Sequence, residues 1–127
     1  MDEGVQKLAA DSGSLVRILG LRTTQGYESL RLMFERGSLL LAPDADTDEI
    51  VVGAEAEAPA NDDLAEVNDD GVLRTLVGKV IESVWTLTND RGYTDAFQIR
   101  GLDLETREES CCQFEVAAAA ITASRVG

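Results

Sequence analysis

Two stretches of this chain follow one plan. TTQGYESLRLMF occupies 23–34 and TNDRGYTDAFQI occupies 88–99. Upstream of each Gly-Tyr, Leu15 aligns with Ile81, Leu19 with Trp85 and Leu21 with Leu87, an offset of 66 residues. Downstream, Glu28 aligns with Asp95, Leu30 with Phe97 and Leu32 with Ile99, an offset of 67. The second copy therefore has one more residue in its turn. That insertion keeps facing in step, because a slip of one residue would turn the whole apolar set of a strand to the other side. Self-similarity at a fixed period means two copies of one structural unit.

The unit reads as β. Residues 14–24 alternate, with Leu15, Arg17, Leu19 and Leu21 on one face. Gly26 closes a tight turn, and 27–34 alternate again. Short apolar runs follow at 38–42 and 50–54, separated by Pro43 and an acidic stretch. In the second copy, Val72–Thr88 reads as a long strand in which Ile81, Ser83, Trp85 and Leu87 share a face. Tyr93, Asp95, Phe97 and Ile99 share another face, and strands follow at 111–117 and 121–126. Between the copies, 55–71 is acidic and poor in apolar residues, with one helical turn expected at Asp63–Val67.

These patterns predict an all-β fold of two pseudo-symmetric four-stranded antiparallel β-meanders, packed as a sandwich or closed as a barrel. A short N-terminal helix precedes them, with Val5 and Leu8 on one side. The expected organisation is a single domain over 1–127: repeat 1 at 14–54, a linker at 55–71 and repeat 2 at 72–126.

Charge limits the partners. With 24 acidic and 11 basic residues, the net charge is -13. Such a surface repels nucleic-acid phosphates and anionic membranes, and favours basic proteins or cations. No stretch is apolar enough to span a bilayer, and the N-terminus lacks the basic and apolar regions of a secretory signal. The only cysteines, Cys111 and Cys112, are neighbours that point to opposite faces of a strand. A reducing, cytoplasmic setting is the expectation.

Catalytic chemistry has little to work with. There is no histidine, which removes the commonest general base and metal ligand. Gly78-Lys79 lacks the first glycine and the Ser/Thr of a phosphate loop. Glu28 and Asp95 are a matched pair of carboxylates, the pairing a hydrolase would use. Their equivalence in two copies argues instead for one structural role used twice. Asp44, Asp46 and Asp48 have the opening spacing of a calcium loop, but Glu49 stands where that loop turns on glycine. Calcium at these three residues is the one cofactor candidate. Trp85, Tyr93 and Phe97 form an expected aromatic cluster around the second hairpin, core in the main and a partner site wherever one is exposed.

The run LVGKVIESVWTLTNDRGYTDAFQIR resembles a bacterial family of small uncharacterised proteins. The resemblance rests on Gly78, Lys79, Trp85, Asn89, Gly92, Tyr93, Asp95, Ala96 and Gln98. It implies a domain of unknown function, carries over no site, and marks the Asn89–Gln98 hairpin as more than a generic turn.

The expected role is a non-enzymatic, acidic protein-interaction module, one concrete form being the neutralisation of a basic partner in the manner of an immunity protein. The alternative is a β-sheet domain that binds a small ligand or cation. Trp85, Tyr93, Asp95, Phe97 and Glu28 are the candidate contact residues for either. Self-association through an exposed edge strand is also expected.

Overall fold

The computed structural model describes residues 3–44, 46–55, 64–67 and 69–126. Helix α1 (Glu3–Asp11) is followed by β1 (Leu15–Thr23), β2 (Gly26–Phe34), β3 (Ser38–Asp44) and β4 (Glu49–Glu55). After β5 (Ala65–Glu66) and a 3-10 turn (Leu73–Leu76) come β6 (Val80–Thr88), β7 (Thr94–Leu102), β8 (Glu109–Ala117) and β9 (Ala120–Val126). The strands form one curled antiparallel sheet, a half-barrel. Each half is a four-stranded meander, as the sequence predicts.

The repeat extends to individual strand pairs. Ile18 pairs with Leu32 and Val84 with Ile99; Leu19 pairs with Arg31 and Trp85 with Gln98. Even the irregularities coincide. Val16 is the extra residue between the pairs Leu15–Phe34 and Arg17–Met33, and Glu82 is its counterpart between Ile81–Gly101 and Ser83–Arg100. Glu28 and Asp95 are likewise the extra residues in β2 and β7.

These bulges correct the expected facing. An extra residue shifts the period of two by one position, so a straight alternation reads the wrong face beyond it. In β1, Leu15, Ile18 and Gly20 are buried, while Leu21 is exposed and Leu19 only half-buried. In β6, Trp85 shares the outer face with Gln98, and Val84 packs against the core. The long strand expected at Val72–Thr88 is also two elements. Leu73 and Leu76 of the 3-10 turn are buried, and β6 begins only at Val80. Of the helical turn expected at 63–67, residues 64–67 are described and contain the strand β5 instead.

The two halves meet at their own counterparts. Ser14 forms an antiparallel bridge with Val80, which is its equivalent at the offset of 66. Leu15 N–H donates to the Lys79 carbonyl at 2.9 Å beside it. An antiparallel pair of equivalent residues lies on the two-fold axis relating the copies. At the far end, Ala119 N–H donates to Asp48 Oδ1 at 3.3 Å, and these too are equivalents, 71 residues apart between β4 and β9. The pseudo-dyad therefore runs from the Ser14–Val80 bridge to the Asp48–Ala119 contact.

One hydrophobic core takes side chains from both halves. Leu30, Leu32, Leu39 and Leu41 meet Phe97, Ile99, Phe114 and Ile121, and Val5 of α1 joins them. The cavity left among Leu15, Leu32, Phe34, Leu76 and Ile99 is ≈ 10 Å³. That is about the room of one water, so side chains fill this part of the core. Among the described residues, no helix is long and apolar enough to cross a membrane.

Candidate functional site

Four turns lie at one end of the half-barrel: β1–β2, β3–β4, β6–β7 and β8–β9. Each is built by its local sequence. In the β6–β7 turn, Asn89 Oδ1 accepts from Arg91 N–H at 2.9 Å and Tyr93 N–H at 3.1 Å, and Gly92 takes φ 86°. An asparagine that mimics backbone, followed by a glycine, is ordinary turn chemistry. In the β3–β4 turn, Asp44 Oδ1 accepts from Asp46 N–H at 3.0 Å, and the Asp44 carbonyl accepts from Asp48 N–H at 2.9 Å. Asp48 itself sits at φ 54°.

The turns are tied across the dyad. Thr94 N–H donates to Glu49 Oε2 at 2.9 Å, joining the start of β4 to the start of β7. The equivalent place in the other half is a backbone pairing of Tyr27 with Ile121. Carboxylates of both halves lie in or beside these turns: Glu28, Asp44, Asp46, Asp48, Glu49, Asp90 and Asp95. Among the described residues the ion pairs are Arg17–Glu66 at 3.6 Å and Arg22–Asp69, so none of these seven is salt-bridged. Tyr93, in the β6–β7 turn, is 42% exposed.

The expected aromatic cluster is divided. Phe97 is fully buried and faces the core. Trp85 lies on the outer sheet face with the Arg100 guanidinium 5.7 Å from its ring centroid, within cation–π range. Beside it a chain of hydrogen bonds runs from Gln98 to Gln113 to Glu115. Tyr93 is at the turn end. The bulges at Glu82 and Asp95 lie behind this division, since between them the register places Trp85 opposite Gln98 rather than opposite Phe97.

Glu28 and Asp95 do not share a phase with the apolar face of their strands, because each is the inserted bulge residue. Bulges bend a strand and re-aim its side chains. In β2 this turns Tyr27 inward, against Gly20. Asp44, Asp46 and Asp48 are drawn into turn and inter-turn hydrogen bonds. Among the described residues no three His, Cys, Asp or Glu side chains are grouped as a metal would require.

Sequence reasoning missed Glu49, which the acidic run around it concealed. It also missed Asp70. The Tyr27 hydroxyl donates to Asp70 Oδ2 at 2.6 Å, while Asp70 Oδ1 accepts from Val72 and Leu73 N–H at 2.9 and 3.2 Å. Burial, then this hydrogen bond, pushes the Tyr27 hydroxyl up to about 12.

At the opposite end, a cleft of ≈ 570 Å³ is lined by Ser14, Glu35, Arg36 and Asp103 among others. Glu35 accepts from both the hydroxyl (2.5 Å) and the N–H (3.1 Å) of Ser14, which holds its carboxyl below the usual range. Asp103 is lowered by the backbone N–H groups of Thr106 and Glu105.

The model of a family of unknown function (DUF6334) matches residues 1–127. No curated protein matches the chain. No solved structure matches it either.

Proposed function

We propose that this chain, which belongs to the family DUF6334, is a non-enzymatic module that docks a basic protein on its acidic turn end. One observation carries the reading. Hydrogen bonds across the dyad, from Thr94 N–H to Glu49 and from Ala119 N–H to Asp48, tie the carboxylates of the β3–β4 turn to the backbone of the other half, whose own turn carries an exposed tyrosine. Fixed, unpaired charges steer an oppositely charged partner, and an exposed aromatic supplies the anchor that charge alone lacks. A neutralising role toward a basic protein belongs to this reading. The filled core between Leu32 and Ile99 speaks against a ligand held there.

The test is a pair of charge-matched variants. One carries Asp46→Lys, Asp90→Lys and Tyr93→Ala at the turn end. The other carries Glu105→Lys, Glu108→Lys and Leu104→Ala at the opposite end. Each is used to retain basic proteins from an extract of the source cells, at low salt and at a concentration that screens exposed charges. The turn-end variant is expected to lose its specific partner and the control to keep it. Equal loss from both would reduce the effect to net charge and sink the reading.

A second reading is favoured by the Ser14–Glu35–Asp103 cleft: a small ligand or cation bound there. Glu35→Gln would then abolish a ligand-induced rise in Tm that the turn-end variant leaves intact.

A further inference from the structure

The two halves differ at one sheet edge. In the first half, β5 lies along the outer edge of β1, with Leu19 paired to Glu66 and Gly20 to Ala65. Val67 N–H donates to the Ile18 carbonyl at 3.1 Å. In an antiparallel ladder this register points the backbone groups of Ile18 and Gly20 at β5. Val67 then turns inward, is 2% exposed, and rests against Gly20.

The counterparts of Ile18 and Gly20 are Val84 and Thr86 of β6. Among the described residues, β6 beyond its bridge at Val80 pairs only with β7. Among the described residues its outer edge therefore lacks the strand that β5 supplies to β1, and α1 packs beside it instead. Burial agrees: Gly20 is buried, whereas Thr86 is exposed. Beside Val84 a groove of ≈ 230 Å³ opens between β6 and α1, lined by Ala9, Ala10, Ile81 and Val84 among others. In the first half, the side chain opposite Ile18 is Val67, and it is buried. The corresponding side chain of an added strand would lie opposite Val84, at this groove.

We infer that the outer edge of β6 receives an extended segment of a partner protein as an added strand, with a β-branched apolar side chain opposite Val84. Strand addition takes its affinity from backbone hydrogen bonds and its specificity from pockets for alternate side chains. Glu82, bulged and charged on β6, guards the lower part of the edge against self-pairing. It also favours lysine or arginine flanking the added strand. That preference alone rests on the proposed basic partner. A second copy is disfavoured, because each molecule carries a net charge of -13 and the same Glu82.

The test uses the full chain and two peptides containing Leu-Ala-Glu-Val, one flanked by lysines and one by serines. Binding is followed by NMR, with amide hydrogen exchange. The expected result is perturbation and slowed exchange at Val84 and Thr86, with Leu19 and Gly20 unchanged. Thr86→Pro removes only an outward-facing N–H, which an edge strand tolerates, and should weaken binding about tenfold or more. Ala10→Phe fills the groove from the helix side and should weaken binding without touching the strand. Equal binding of the two peptides at β6 upholds the edge and removes the basic-partner preference. Binding of neither peptide, or perturbation centred on β1, overturns the proposal. A concentration-dependent dimer mapped to β6 replaces the partner protein with a second copy and also overturns it.

Discussion

Ser14 and Val80 face each other across an antiparallel bridge, and each is the other's counterpart in the duplicated unit. The two copies are therefore more than neighbours in sequence. They are placed about a common axis, and their turns converge on it at Asp48 and Ala119. That convergence brings the β8–β9 turn of the second half against the acidic β3–β4 turn of the first.

The β8–β9 turn departs from ideal chemistry. Ala118 and Ala119 take φ 52° and 60°, where asparagine or glycine is usual. Ala119→Gly is expected to raise stability by about 0.5–1 kcal/mol, since the strain of a Cβ at positive φ is relieved. Urea unfolding checks this. Unchanged or lowered stability would mean that the turn does not hold this conformation.

Two turn glycines should differ sharply. A Cβ on Gly26 would lie 2.2 Å from the Ile121 carbonyl oxygen, at φ 153°, whereas Gly92, at φ 86°, has open space. Gly26→Ala is expected to cost well over 2 kcal/mol because it wedges β2 from β9; Gly92→Ala should cost about 1 kcal/mol. Similar losses from both would contradict the Tyr27–Ile121 pairing.

Tyr27 gives the protein an alkaline limit. Its hydroxyl keeps its proton up to about 12 when folded, against 10.0 for an ordinary tyrosine. The folded state therefore binds that proton more tightly. The resulting stabilisation is full below pH 10.0 and is lost as pH rises toward about 12. Tyr27→Phe should abolish this step and cost about 1–2 kcal/mol at neutral pH, by leaving Asp70 short of a donor. Unfolding curves at neutral and strongly alkaline pH separate the two effects. Equal pH slopes in wild type and variant would count against it.

The bulge residues should tolerate substitution and resist deletion. Glu28→Ala and Asp95→Ala are expected to change stability by about 0.5 kcal/mol or less, as surface replacements do. Deleting Glu28 would turn Tyr27 out of the core and cost about 2–3 kcal/mol from lost burial. Calorimetry on the four proteins decides. A severe loss from either alanine variant would restore a specific role for that carboxylate.

The sequence carried the architecture further than it carried the site. Matching Leu30 with Phe97 and Leu32 with Ile99 located the meanders, because those strands alternate regularly toward the core. It misread β1 and β6, because the bulges at Val16 and Glu82 leave no mark in composition. The division of Trp85 from Phe97 followed from that error. Glu28 and Asp95 were legible as equivalents, and the structure gives the equivalence its cause in a pair of bulges. The contact of Glu49 with Thr94 was not legible, since it depends on how the two meanders dock rather than on either one.

The most direct measurement is a cross-link on the axis. Ser14 and Val80 form a non-hydrogen-bonded antiparallel pair, whose Cα separation of about 4.5 Å suits a disulfide. In a background lacking Cys111 and Cys112, the Ser14→Cys, Val80→Cys protein should oxidise to one intramolecular species under mild conditions. Peptide mapping should find the link between positions 14 and 80. The oxidised form should be more stable than the reduced form by up to about 4 kcal/mol. A chain that keeps both thiols free, or links only between molecules, would contradict the placement of the two copies about a shared axis.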